Sequence, residues 1–137
     1  FNGPNEPYRS IPLEVFKRVF KLDANFYCLQ NEIWDRDQKY FKSLKLNDCS
    51  KYKLDEVASI IKNLDLVITV DTSLLHLSAC LNKETWGILS LYPDWRWGEF
   101  NKINPYSDLK ILKQKNFNDW NDIESLIFKE ISLKIKE

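Results

Sequence analysis

The chain has no methionine, one histidine, three cysteines and three glycines among its 137 residues. Because not even position 1 is methionine, we expect a trimmed product or a piece of a longer protein. A lone histidine without a Cys-x-x-Cys pair argues against a zinc site. The cysteines are odd in number, widely spaced and each in or beside an apolar segment: Cys28, Cys49 and Cys80. They predict buried, reduced thiols in a cytosolic protein and no disulfide framework.

An excess of one charge and long apolar runs are also lacking. Twenty basic residues balance twenty acidic ones, so no global field attracts nucleic acid or an anionic membrane. No apolar run reaches the roughly 18 residues of a transmembrane helix, and the N-terminal segment does not resemble a signal peptide. With 44% hydrophobic and 29% charged residues, the composition is that of one ordinary globular domain.

The hydrophobic pattern alternates between strands and helices. Residues 65–70 and 85–91 are continuous apolar runs, typical of strands covered on both faces of a parallel sheet. We therefore predict an α/β fold, a Rossmann-like open parallel sheet of about four to five strands with helices on both faces and right-handed crossovers. Residues 1–137 are predicted to form a single domain. The predicted helices begin at 10–12, cover 53–64 and 72–81 and begin again near 119, with a weaker pattern over 31–47; further strands cover 25–30 and 109–114.

The stretch VITVDTSLLHLSA, residues 67–79, is the first candidate site. Its strand runs into Asp71, Thr72 and Ser73, and the chain's one histidine, His76, follows a helical turn later. Parallel sheets bind ligands at this end of their strands, and the start of a helix favours an anion, most often phosphate. His76 lies four residues after Thr72, on the same face, where its imidazole can donate to a phosphate oxygen.

A purely structural role for these residues is as well supported by their spacing as an anion site. Asp71 or Thr72 simply caps the helix, and His76 is a half-buried side chain with its hydrogen bonds satisfied. A Ser-His-Asp triad does not fit, because neighbours on a single turn cannot line up as nucleophile, base and orienting group.

The second candidate is YPDWRWG, residues 92–98, which follows the next strand. Trp95 and Trp97 flank Arg96, and Asp94 lies two residues before the arginine. This density of aromatic and charged side chains suits stacking on, and hydrogen bonding to, a ring-bearing ligand. Composition alone somewhat favours the alternative, in which the tryptophans anchor the loop to the core and Arg96 pairs with Asp94.

Two weaker candidates lie nearer the N-terminus. Arg9 precedes a predicted helix in a loop and could meet the same anion. Gln30 or Glu32, at the end of the second predicted strand, suits a ribose hydroxyl. No Gly-x-Gly-x-x-Gly turn supports this second assignment.

Together these residues resemble the C-terminal half of glycosyltransferase family 9, the bacterial heptosyltransferases, and most closely the branch fused to tetratricopeptide repeats. The Asp-Thr-Ser-x-x-His-Leu motif at residues 71–77 and Pro-Asp-Trp-Arg-Trp at 93–97 carry the resemblance. RSIPL at 9–13, FYCLQ at 26–30 and NDW at 118–120 resemble the family's first helix start, second strand and last helix start. The likeness covers nearly the whole chain.

The resemblance implies the donor-binding half of a GT-B glycosyltransferase that acts in bacterial surface glycan synthesis of the lipopolysaccharide type. Its partners would be a nucleotide-sugar donor and a glycan or lipid-linked acceptor, in the cytoplasm or peripherally at the inner membrane. No metal or other cofactor is implied. The resemblance implies that the diphosphate is bound by Asp71, Thr72, Ser73 and His76, together with Arg9. It places Gln30 or Glu32 near the nucleoside. The loop of Asp94, Trp95 and Arg96 would face the donor.

The sequence also departs from the family pattern. Ser78, Ala79, Asn82 and Glu84 replace the usual glycines and a proline, which is mild for the fold but suggests a divergent donor site. The acceptor half, which supplies the catalytic base, is absent, and the chain begins at the expected end of the central strand, Phe1. We therefore expect this chain alone to be inactive, with no catalytic residue of its own, and to self-associate through an incomplete sheet.

Two rival functions remain open at this stage. One is a non-catalytic Rossmann-like binding or interaction module. The other is a different GT-B nucleotide-sugar enzyme such as an epimerase, for which the only candidate acid–base carboxylates are Asp71, Asp94 and Glu32.

Overall fold

The computed structural model describes residues 6–97 and 106–136. In chain order its elements are α1 (Glu6–Arg9), β1 (Tyr27–Cys28), α2 (Asp35–Ser43), β2 (Asn47–Asp48), α3 (Leu54–Asn63), β3 (Val67–Val70), α4 (Ser73–Cys80), β4 (Thr85–Leu89), β5 (Leu109–Lys113) and α5 (Asn121–Lys134). Three short 3₁₀ turns accompany them, at Leu13–Phe16, Val19–Lys21 and Trp95–Trp97. The expected strand end at Phe1 and the middle of the segment that follows Tyr92 lie outside the described residues.

The predicted α/β class with parallel strands is confirmed, and the strands form two sheets. One sheet has the order β3-β4-β5, and the other pairs β1 with β2; every pair is parallel. The chain divides into two compact units. The first unit combines Phe1–Ser10 with Leu54–Asp119, and the second combines Ile11–Lys53 with Trp120–Glu137.

Strand β4 forms the centre of the first unit. All five of its residues are buried, as expected for the middle strand of a sheet that is covered on both faces. Strand β3 lies at an edge of this sheet among the described residues, so only Val67 is buried, contrary to the expectation of full cover. Helix α4 packs tightly on β4: a Cβ added to Gly87 would lie 2.6 Å from Leu75 Cδ1.

The end of α4 explains one departure from the family pattern. Asn82 follows the helix with φ 53°, the left-handed conformation predicted for it, which glycine adopts at least cost and asparagine tolerates. The Lys83 N–H then donates to the Ser78 carbonyl at 3.1 Å, closing the last turn. The Ser78 hydroxyl is fully buried and donates to the Leu74 carbonyl at 2.8 Å. These replacements are therefore accommodated without an unsatisfied polar group.

Helix α5 is the main helix of the second unit. Ile123, Ile127 and Ile131 form its buried face, as predicted, but Leu126 is 38% exposed and does not belong to that face. The buried Glu124 carboxylate lies 3.2 Å from Arg18 Nε, and the guanidinium also stacks over Phe128.

The helix predicted to begin at residues 10–12 is wrong. The chain forms two successive 3₁₀ turns there, with i→i+3 bonds such as Val15 N to the Pro12 carbonyl at 3.0 Å. Valine and phenylalanine at the helically spaced positions have only modest helix propensity, so packing against α5 decides the local conformation. Strand β2 was not predicted, because Asn47 and Asp48 carry no apolar pattern.

The cysteines differ from the expectation in one case. Cys49 is buried and Cys28 half-buried, and burial raises the pKa of both thiols. Cys80 is exposed, because it lies at the solvent side of the last turn of α4, so its predicted burial is wrong. All three are free thiols. Within residues 6–97 and 106–136, no helix has both the length and the apolar character that crossing a bilayer requires.

Candidate functional site

A long-range hydrogen bond lies at the carboxyl edge of the sheet in the first unit. Arg9 Nη1 donates to the Asp71 carbonyl oxygen at 2.8 Å, although the two residues are 62 positions apart. Asp71 lies between the end of β3 and the start of α4. The contact therefore places a guanidinium beside the junction whose anion Arg9 is predicted to meet.

A shallow cleft opens beside this contact. Its cavity volume of about 50 Å³ is well below the range of about 300–1,000 Å³ that is typical of small-molecule sites. Two arginines and two aspartates lie among its walls, so both phosphate-type and hydroxyl-type ligand groups would find hydrogen-bonding partners. The lining residues are Arg9, Asp71, Leu89, Ser90, Tyr92, Pro93, Asp94 and Arg96.

The loop after β4 supplies one wall of the cleft. Arg96 Nε lies 3.4 Å from Asp94 Oδ1, and the Arg96 backbone N–H donates to the same oxygen at 3.1 Å. Trp97 packs against the buried cluster that includes Leu75, whereas Trp95 is 74% exposed. The anchoring alternative is therefore confirmed for Trp97 and for the Arg96–Asp94 pair. For Trp95 it is wrong.

The start of α4 is not closed by the threonine side chain. Thr72 is the N-cap residue with extended φ and ψ, but its hydroxyl makes no capping bond. It lies instead 3.3 Å from Thr69 Oγ1 and donates to the Val70 carbonyl at 3.3 Å. Ser73, the first residue of the helix, is exposed. The capping alternative is thus wrong for Thr72, which leaves the helix start accessible to an anion.

His76 occupies an aromatic environment on α4. Its Nδ1 lies 3.1 Å from the Tyr106 hydroxyl, and its ring stacks on Trp97 with centroids 5.7 Å apart and planes at 16°. The side chain is half-buried and does not line the cleft beside Arg9. One imidazole nitrogen therefore already has a protein partner, as the alternative for this residue expected.

Gln30 and Glu32 belong to the second unit. Gln30 Nε2 donates to the Glu32 carbonyl at 2.5 Å, and both side chains are exposed. The contacts that build the cleft of the first unit do not include them.

Sequence reasoning missed Gln114 and Tyr106. Gln114 is only 3% exposed. Its side-chain Oε1 accepts from the Leu91 N–H at 3.0 Å, and its backbone N–H donates to the Leu89 carbonyl at 2.9 Å. It thereby fixes the start of the cleft loop. A polar residue ending an apolar strand at the same edge as Asp71 was a usable signal. Tyr106 had none, since its contact with His76 is purely tertiary.

Metal ligands do not gather in the part of the chain that the structure describes. There, no three histidine, cysteine, aspartate or glutamate side chains lie close enough together to hold a metal ion.

Comparison with known proteins gives one match. The sequence model of glycosyltransferase family 9 (heptosyltransferase) matches residues 24–123, which contain strands β1 to β5 of the described residues and the surroundings of Asp71 and Asp94. Arg9 lies before the matched region. Neither the curated proteins nor the solved structures give a significant match.

Proposed function

The chain belongs to glycosyltransferase family 9, and from this membership we propose that its first unit binds the diphosphate of a nucleotide-sugar donor. The observation that carries the proposal is the bond from Arg9 to the Asp71 carbonyl. It holds a cation where β3 turns into α4, beside a helix start that the Thr72 side chain does not cap. A guanidinium and a helix N-terminus are the two protein groups best suited to a phosphate.

The same groups account for the chemistry of donor activation. When the glycosyl bond breaks, negative charge develops on the departing diphosphate. Arg9, the first N–H groups of α4 and the imidazole of His76 would stabilise that charge, and because they are fixed by the fold they need little reorganisation. We therefore propose that the diphosphate is neutralised by protein groups and not by a metal ion.

The remaining predicted residues are assigned to the rest of the donor. Asp94, Trp95 and Arg96 form the loop that would face the sugar or the base, with the exposed indole of Trp95 available for stacking. By the family resemblance, Gln30 or Glu32 is the proposed contact of the nucleoside.

At the level of the whole protein, we propose heptosyltransferase-type transfer to a glycan or lipid-linked acceptor. The setting would be synthesis of a lipopolysaccharide-type surface glycan, in the cytoplasm or peripherally at the inner membrane. The resemblance to GT-B enzymes assigns the acceptor site and the catalytic base to the other half of such a protein. This chain alone should then bind nucleotide weakly and transfer no sugar.

One rival is favoured by a specific observation. Because His76 Nδ1 is engaged by Tyr106 and its ring is stacked on Trp97, a non-catalytic module with a packing role for His76 fits the same contacts. The variant His76→Ala separates the two functions. A loss of nucleotide affinity with unchanged unfolding free energy supports the donor site, and a loss of stability alone supports the module.

The direct experiment is calorimetric titration with ADP, UDP and GDP. We expect saturable binding of at least one of the three, and much weaker binding of the matching nucleoside without phosphates. Absence of saturation with all three diphosphates, in a sample shown to be folded, would contradict the donor site.

A further inference from the structure

His76 and Cys80 lie one turn apart on α4, and Tyr106 reaches both of them. His76 Nδ1 is 3.1 Å from the Tyr106 hydroxyl, and Cys80 is a close neighbour of the same phenol. The phenol therefore has both an imidazole and a thiol beside it. Neither Tyr106 nor Cys80 belongs to the predicted donor residues.

The ring positions in this group are fixed by packing. Trp97 and Tyr106 both pack against the buried cluster of Leu75, Ala79 and Leu109. The imidazole stacks on Trp97 at 16° between planes and meets the Tyr106 ring at 55°. His76 thus has one ring face on an indole and one ring nitrogen on a phenol, which restricts rotation about both of its side-chain bonds.

The direction of the hydrogen bonds follows from the strengths of the groups. A phenol is a good donor, a neutral imidazole nitrogen is a good acceptor, and a thiol is weak in both roles. The phenol proton therefore goes to His76 Nδ1. Burial, and after it the neighbouring Cys80, raises the pKa of Tyr106, so the phenol keeps its proton at neutral pH.

We propose that Tyr106 is a positioning residue that holds the imidazole of His76 in the form protonated at Nε2. A neutral histidine carries one ring proton, so a hydrogen bond received at Nδ1 leaves that proton on Nε2. Only this form donates from Nε2 to a phosphate oxygen; the other form would present a lone pair. The consequence for ligand binding rests on the proposed diphosphate site, whereas the ring form itself does not.

The ring form can be measured without any ligand. His76 is the only histidine, so protein labelled with ¹⁵N-histidine gives two ring-nitrogen signals that belong to one residue. At a pH where the imidazole is neutral, we expect a protonated Nε2 and an unprotonated, hydrogen-bonded Nδ1. In Tyr106→Phe, which keeps the ring but loses the hydroxyl, we expect the Nδ1 signal to shift and the population protonated at Nδ1 to rise. Tyr52→Phe is the matched control and should leave both signals unchanged.

The second readout is affinity for ADP. Because Tyr106→Phe lowers the population protonated at Nε2 without removing the imidazole, ADP binding should weaken by about three- to tenfold, less than on full loss of a bond to a charged group, and stay unchanged in Tyr52→Phe. A wild-type imidazole protonated at Nδ1, or ring signals unaffected by Tyr106→Phe, would overturn the proposal. An altered ring form with full ADP affinity would support the role of Tyr106 in setting the tautomer and would remove His76 from the diphosphate site.

The two proposals fail in different ways. If wild-type protein binds no ADP, the donor site fails, while the ring form still reports whether Tyr106 sets the tautomer. If Tyr106→Phe does not fold, the wild-type spectrum alone decides, because a proton on Nδ1 contradicts the assignment. Cys80→Ala gives a further variant, and it should keep the proton on Nε2 because the phenol still donates to Nδ1.

Discussion

Arg9 is the residue on which the candidate site depends most. Its Nη1 donates to the Asp71 carbonyl, and a guanidinium has the planar fork of N–H donors that matches a phosphate. No apolar pattern marks the position, and a lone arginine in a turn-rich segment is ordinarily a solvated side chain. Its contact with Asp71 gives it a specific place in the fold.

The variant Arg9→Ala tests this role. A hydrogen bond to a charged group contributes about 1.5–3 kcal/mol, so ADP affinity should fall by about ten- to hundredfold, measured by calorimetry. The ADP affinity of Arg9→Lys should lie between those of wild type and Arg9→Ala, because an ammonium keeps the charge but lacks the planar, bidentate geometry of a guanidinium. Arg36→Ala, at an exposed arginine of the second unit, is the control and should bind as wild type. Equal affinity of Arg9→Ala and wild type would remove Arg9 from the site.

Gly87 is the residue that lets α4 approach β4. An added Cβ would lie 2.6 Å from Leu75 Cδ1 and 3.2 Å from Ile111 Cδ1, and Leu75 is fully buried. We expect Gly87→Ala to lower the free energy of unfolding in urea by about 1–3 kcal/mol. Adding Leu75→Val removes the clashing methyl, so the double variant should lose less than the sum of the two single losses. Strict additivity would show that the methyl clash is not the cause.

At the scale of elements, the ion pair between Arg18 and α5 offers a stability test. The Glu124 side chain is 9% exposed while that of Arg18 is 51% exposed, so solvent screens part of the interaction. Arg18→Ala should destabilise by about 1–2 kcal/mol, because a buried carboxylate loses its cation. Arg18→Ala combined with Glu124→Gln should recover part of that loss.

Arg36 provides a matched comparison for Arg18. It also pairs with a carboxylate, Asp37, and stacks on a ring, that of Trp34. Asp37 additionally accepts the Leu13 N–H at 2.9 Å, so it keeps a partner when the arginine is removed. Arg36→Ala should therefore cost about 0.5 kcal/mol or less in the same thermal or urea unfolding experiment. An equal loss in both variants would mean that burial of Glu124 does not matter.

Elements with continuous or strongly periodic apolar patterns were predictable from sequence. The strands over residues 67–70, 85–89 and 109–113 and the helices over 54–63 and 73–80 occur as expected, because each must bury an apolar face. The 3₁₀ turns after residue 12 have the same helical spacing as an α-helix, so spacing could not separate them. The two-residue strand at Asn47–Asp48 has no pattern to detect.

The candidate site was predictable where strand ends define it. Arg9 lies beside Asp71, at the junction whose anion it is predicted to meet, although the bond between the two residues was not itself predicted. Composition could not tell which tryptophan is the anchor, and only packing distinguishes Trp97 from the exposed Trp95. The partner of His76, Tyr106, depends on how a distant part of the chain returns to α4. Such tertiary contacts leave no local signal.

At the scale of the whole molecule, balanced charge means that an anionic ligand gains no long-range attraction. Twenty basic and twenty acidic residues give a net charge of zero, so binding must rely on local groups such as Arg9 and the start of α4. This agrees with a small, specific ligand better than with a polyanion. It also makes weak nucleotide binding by this chain alone the expected behaviour.

Metal-independent binding is a second proposal at the scale of the whole molecule. If protein groups neutralise the diphosphate, chelation with EDTA should leave ADP affinity unchanged within experimental error, and added Mg²⁺ should not raise it. Calorimetric titrations with and without each reagent give the comparison. A severalfold gain in affinity on adding Mg²⁺ would show that a cation takes part in binding.

The measurement that tests the account most directly is the location of a bound diphosphate on the folded protein. Titration of ¹⁵N-labelled protein with ADP, followed through backbone amide signals, reports which N–H groups the ligand approaches. The predicted result is saturable shifts that are largest at Thr72, Ser73 and Leu74, at the start of α4, and that shrink strongly in Arg9→Ala. Saturable shifts centred on other residues, or no saturation with ADP, UDP or GDP, would contradict the assignment of this junction as the donor diphosphate site.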